Sequence, residues 1–109
     1  MTIVKVKREN RRIISVSCTG HTGASVQGED VVCAALSSVV QTALLGLFQV
    51  AGINCKNTRD DEEGILIFKL PPDLTEKQRH DADVILETML CGVSDLAEGF
   101  SKFIRLEVK

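Results

Sequence analysis

Among the 109 residues of this chain, a cysteine and a histidine stand out by type and spacing: Cys33 and His21. Cys33 follows Asp30 by three positions, and the run after Asp30 reads as helix. Asp30 reads as its N-cap. A helix start carries unpaired backbone amides and favours negative charge. A thiol placed there is held more in its thiolate form, which is the nucleophile. By helical spacing Asp30, Cys33, Ser37 and Gln41 share one polar stripe, while Val32, Leu36, Val39, Val40, Ala43 and Leu47 take the other side. His21 lies in a loop with Gly20, Gly23 and Gly28, joining a strand end to the cysteine helix. Folded back over the helix start, it would serve Cys33 in proton transfer. The glycines permit positive φ and close approach of an extended substrate backbone.

Plainer readings fit the same residues. A cysteine near a helix start suits a small buried residue. A histidine among glycines suits a turn. Ser37 and Gln41 suit a solvated stripe. His80 falls among charges, and Cys18, Cys55 and Cys91 are assigned no chemistry. The glycines from Gly20 to Gly28 lack the Lys-Ser/Thr of a phosphate-binding loop. No Cys/His grouping has zinc spacing, and Asp60 to Glu63 reads as a solvated acidic turn, not a calcium loop. No cofactor or metal is implied.

The elements that must position this pair are legible from periodicity. Residues 2–7 alternate, with Val4 and Val6 on one face and Lys5 and Lys7 on the other. Residues 12–18 alternate likewise, with Ile14, Val16 and Cys18 inward, and the two runs make a hairpin. A helix is expected from Asp30 to Ala51, stopped by Gly52. A weak strand over 53–59, an acidic turn and a strong strand over 65–70 follow. Thr75 and Gln78 form a capping box opening a second helix, which runs to Phe100 with Ile85, Met89, Val93, Leu96 and Phe100 inward. Residues 102–108 form a last strand carrying Ile104, Leu106 and Val108 on one face. The order β-β-α-β-β-α-β predicts an α+β two-layer sandwich, a mainly antiparallel sheet with both helices on one face. Residues 1–109 read as one domain.

Composition narrows the function. Apolar residues at 44% and charged residues at 26% describe a folded chain. A net charge of −2 and the absence of Trp and Tyr argue against direct nucleic-acid binding. The N-terminus lacks a signal-peptide pattern, so the thiols are expected free in a reducing cytoplasm. Val31 to Cys55 is uncharged, but Ser37, Ser38, Gln41, Thr42 and Gln49 interrupt it at helical spacing, so a core helix is expected and no membrane span.

Gly20-His21-Thr22-Gly23, followed by Gly28-Glu29-Asp30-Val31-Val32-Cys33-Ala34-Ala35-Leu36-Ser37, resembles the signature of the ribosomal-processing cysteine proteases, the Prp family. The resemblance extends over essentially the whole chain. It departs at Thr22, where the family more often has alanine. It implies a small cytoplasmic enzyme, a homodimer, which trims the N-terminal segment of a large-subunit ribosomal protein after paired phenylalanines. It assigns Cys33 as nucleophile, His21 as general acid/base, and Asp30, Ser37 and Gly20 as supporting positions. Thr22, Gly23, Val26 and Gly28 then belong to a substrate loop, and the stretch from Thr22 to Glu29 is expected to fold down over bound peptide. Two other classes stay open at this point: a non-catalytic ribosome-associated binding module, and a hydrolase of another acyl substrate.

Overall fold

A computed structural model describes residues 1–20 and 29–109, with Glu29 and Asp30 through their backbone only. The described residues form β1 (Thr2–Glu9), β2 (Arg12–Thr19), α1 (Glu29–Gln49), β3 (Lys56–Asp60), β4 (Ile65–Lys69), α2 (Glu76–Gly99) and β5 (Ile104–Val108). The strands make one mixed sheet in the order β3-β4-β2-β1-β5. Three neighbours pair antiparallel, and β5 pairs parallel with β1. That parallel edge follows from α2, which carries the chain across the sheet between β4 and β5. Fold class and element order are as the periodicity predicts.

Alternation decides which sheet face the helices cover. Val4, Val6, Val16, Cys18, Leu66 and Phe68 are buried, while Lys5, Lys7 and Lys69 point to solvent. Val32, Leu36, Val40, Ala43 and Leu47 of α1 close over that face, so this long apolar helix supplies core. Val39 is only partly buried, because it turns toward α2: a Cβ at Gly92 would lie 3.3 Å from its Cγ1.

Several expected boundaries shift for local reasons. In β2 the buried residue is Ile13, not Ile14. Lys7 pairs with Ser15 and Arg8 with Ile13, so Ile14 is the extra residue of a β-bulge and the alternation slips by one. Asp30 lies inside α1 and is not its cap. The helix ends at Gln49, two residues before Ala51, and Gly52 at φ 67° lets the Ile53 amide turn back to the Leu47 carbonyl at 2.7 Å. β3 begins only at Lys56, since Ile53 and Cys55 are buried in the connection from α1 rather than laddered. The inward stripe of α2 is Ala82, Leu86, Met89 and Val93. Ile85 and Leu96 flank it, and Phe100 sits exposed past the helix end. β5 starts at Ile104, and Val108 is exposed on this edge strand although its partner Val6 is buried.

The capping box of α2 is present in both directions. The Gln78 amide donates to Thr75 Oγ1 and the Thr75 amide to Gln78 Oε1, each at 3.1 Å. Thr75→Ala removes one half of this exchange at an exposed position. Chemical denaturation should show a loss of about 1 kcal/mol with an unchanged m-value.

Candidate active site

The start of β1, the end of β2 and the beginning of α1 converge at one end of the sheet. Cys33 is the fifth residue of α1 and half-buried. The Cα–Cβ bonds of a helix tilt toward its N-terminus, and here that is the direction of the opening turn, whose amides have no partner within the helix. Cys33 borders a cleft of about 250 Å³. Ser37 and Gln41 continue the same wall one and two turns on, joined by a hydrogen bond from Gln41 Nε2 to Ser37 Oγ. The polar stripe of α1 is thus a wall of the cleft.

Gly20 closes the cleft beside the chain start. Its φ is 96°, and a Cβ there would stand 2.7 Å from the Met1 carbonyl oxygen. Both facts restrict this position to glycine. Its amide donates to the Gly64 carbonyl at 3.0 Å, which ties the end of β2 to the turn between β3 and β4. His21, the next residue, lies outside the described residues, as do Thr22, Gly23, Val26 and Gly28. Asp30 is placed by its backbone alone. Among the sequence-expected site residues, the structure therefore brings together Cys33, Ser37 and Gly20.

Three neighbours of Cys33 were not expected from sequence. Thr2 Oγ1 lies 3.3 Å from Cys33 Sγ and donates to the Gly20 carbonyl at 3.0 Å. Thr2 reads in sequence only as the first residue of a strand, and nothing there links it to a cysteine 31 positions on. Cys18, inward on β2, borders the same cleft. Desolvation pushes its thiol up to about 11, and the charge of Cys33 adds to the rise. The acidic turn is the third. Asp60 Oδ1 accepts from the Glu62 and Glu63 amides, each at 3.1 Å, and Asp60 and Asp61 line the cleft opposite α1. The segment is a hairpin turn as expected, and it is also a wall of the site. His80 stands on the exposed face of α2, paired with Asp81 at 3.3 Å.

Of the two sulfurs on this cleft, Cys33 is half-buried and Cys18 is buried and held protonated. A thiol whose folded value lies above its unfolded one binds its proton longer in the fold. It therefore stabilises the fold fully below pH ~9, and that contribution is lost as pH rises toward about 11. Equilibrium unfolding across this window should show a decline that is shallower in Cys18→Ala. Cys55, also raised by burial, accounts for part of the remaining slope.

The chain is similar along its length to known proteins. A family model described as "Cysteine protease Prp" matches residues 1–105. A Bacillus subtilis protein named "Ribosomal processing cysteine protease Prp" is 24% identical over 100 residues, covering 92% of this chain and 89% of the relative. A crystal structure of the processing protease Prp from S. aureus in complex with a substrate peptide superposes with a TM-score of 0.87 at 23% identity, covering the whole of both chains. SMU.848 from Streptococcus mutans superposes with a TM-score of 0.88 at 27% identity, over 99% of this chain and 93% of that one.

Proposed function

This chain belongs to the Prp family of cysteine proteases, and we propose that it removes the N-terminal extension of a bacterial large-subunit ribosomal protein with Cys33 as nucleophile. The observation that carries the reading is half-buried Cys33 in the early part of α1, on the wall of a cleft. The name of the Bacillus subtilis relative and the substrate peptide held by the S. aureus protein support it.

In this reading the Cys33 thiolate attacks the scissile carbonyl carbon and a sulfur–carbon bond forms. Amides at the start of α1 hold the oxyanion. His21 gives its proton to the departing amine as the carbon–nitrogen bond breaks. Water then loses a proton to His21, adds to the acyl carbon and releases the sulfur. Asp30, Ser37 and Gly20 support the pair, and Thr22, Gly23, Val26 and Gly28 serve peptide recognition. The cut falls after paired phenylalanines. The enzyme is one domain of residues 1–109 and works in the cytoplasm.

A synthetic peptide carrying the N-terminus of the organism's own ribosomal protein, followed by mass spectrometry, tests this directly. One cut is expected. Cys33→Ala and His21→Ala should each lose about 10³-fold or more in turnover, and the double variant should be about as inactive as either single. Cleavage surviving in Cys33→Ala removes the proposed nucleophile. Binding of the peptide without any cut supports a binding module instead, and turnover of acyl or thioester esters alone supports another hydrolase.

The working unit in this reading is a homodimer. Its support is the outer side of the helix layer, where Leu45, Phe48 and Val84 are each more than half exposed. Large apolar side chains left exposed on both helices favour a partner of matching character. Sedimentation of wild-type chain should give twice the monomer mass, and Leu45→Glu with Phe48→Glu should give the monomer.

A further inference from the structure

We infer that Thr2 is a positioning residue for the Cys33 sulfur, and that its hydroxyl stabilises the thiolate by exchanging one hydrogen-bond partner for another. The inference rests on the reading of Cys33 as nucleophile. Among the described residues Thr2 is the buried polar one, with a relative exposure of 4%. Its Oγ1 makes two contacts, donating to the Gly20 carbonyl at 3.0 Å and lying 3.3 Å from Cys33 Sγ.

A threonine hydroxyl has a single proton to give. While that proton lies on the Gly20 carbonyl, the Cys33 thiol must be the donor across the 3.3 Å contact, and Thr2 Oγ1 the acceptor. When the thiol proton leaves for a base, the sulfur has nothing to donate and carries a full negative charge. Rotation about the Cβ–Oγ1 bond then turns the hydroxyl proton from Gly20 to the sulfur. No heavy atom moves, and the only covalent bond that changes is S–H. The new hydrogen bond ends on an anion and is stronger than the one given up.

The hydroxyl is held where this exchange works. The Thr2 amide donates to the Phe103 carbonyl at 2.8 Å, and Thr2 pairs with Ile104 of β5. A β-branched side chain at a laddered strand position has little χ1 freedom. On the other side the approach of Met1 to Gly20 fixes the carbonyl that takes the proton in the resting state.

The test is iodoacetamide alkylation, read by mass spectrometry at each cysteine of the full chain. Thr2→Val keeps the branched shape without the hydroxyl. At pH 7 it should slow alkylation of Cys33 about three- to tenfold, the effect of one hydrogen bond to an anion. At strongly alkaline pH, where accessible thiols are ionised regardless, its rate should meet the wild-type rate. Thr2→Ser restores the hydroxyl and should restore the neutral-pH rate. Exposed Cys91 should react alike in all three, and buried Cys18 and Cys55 should stay unlabelled, which reports an intact core. Thr2→Ala serves the same comparison where Thr2→Val exposes those two thiols. A wild-type rate in the hydroxyl-less variant at pH 7, or a Thr2→Ser variant as slow as it, overturns the inference. Failure of the nucleophile reading is seen separately, as peptide cleavage by Cys33→Ala, since alkylation does not depend on turnover.

Discussion

The structure depends on how closely Met1, just before β1, approaches Gly20, just after β2. At Gly20 the chain adopts a positive φ with the Met1 carbonyl where a side chain would have to be. That contact draws Thr2 beneath Gly20 and against Cys33, joining three segments far apart in sequence. The Gly20 amide meanwhile reaches the Gly64 carbonyl and brings the β3–β4 turn to the same place. Gly20 thus joins the chain start to the β3–β4 turn at the cleft, and any side chain there would have to part Met1 from the end of β2. Distances this short cannot be relieved by rotamer changes, because the clashing atom is backbone.

Other elements hold that approach from its far side. Thr2 is pinned from its other edge by β5, which α2 delivers parallel to β1. At the opposite end of β1 the bulge at Ile14 resets the register. Arg8 then faces α2 and pairs with Glu87, both side chains partly exposed. An ion pair in that setting adds little energy. What keeps α2 in place is apolar burial through Ala82, Leu86, Met89 and Val93 against the sheet, on the scale of one to three kcal/mol for each large side chain.

Elements with strong periodicity were legible in the sequence. The alternation of residues 2–7, the apolar side of α1 and the Thr75–Gln78 box all report local physics, and the structure repeats them. The errors fall where distant partners decide. Ile13 replaces Ile14 because of pairing with β1, and no property of 12–18 alone announces a bulge. Ile53 and Cys55 look like strand residues, yet they are buried in the passage from α1 to β3. Phe100 continues the α2 stripe on paper, but the helix has ended and the core no longer lies beneath it. In the site, Cys33, Ser37 and Gly20 were legible through helix spacing and glycine placement. Thr2 and Cys18 were not, since a side chain at a strand start and another near a strand end carry no mark of the helix that will close over both.

Cys18 and Cys33 show that residue type alone does not assign chemistry. They border one cleft, and the charge of Cys33 is felt at Cys18. Cys18 lies on the core face of β2, where burial disfavours a thiolate, and a charge on Cys33 would disfavour it further. Cys33 has the open cleft on one side, the start of a helix behind it and a hydroxyl within reach. Two thiolates bordering one cleft would repel, so a charge on Cys33 adds to the cost of ionising the buried Cys18. Burial holds Cys18 protonated and sets it apart from Cys33, the less buried of the two sulfurs on the cleft wall.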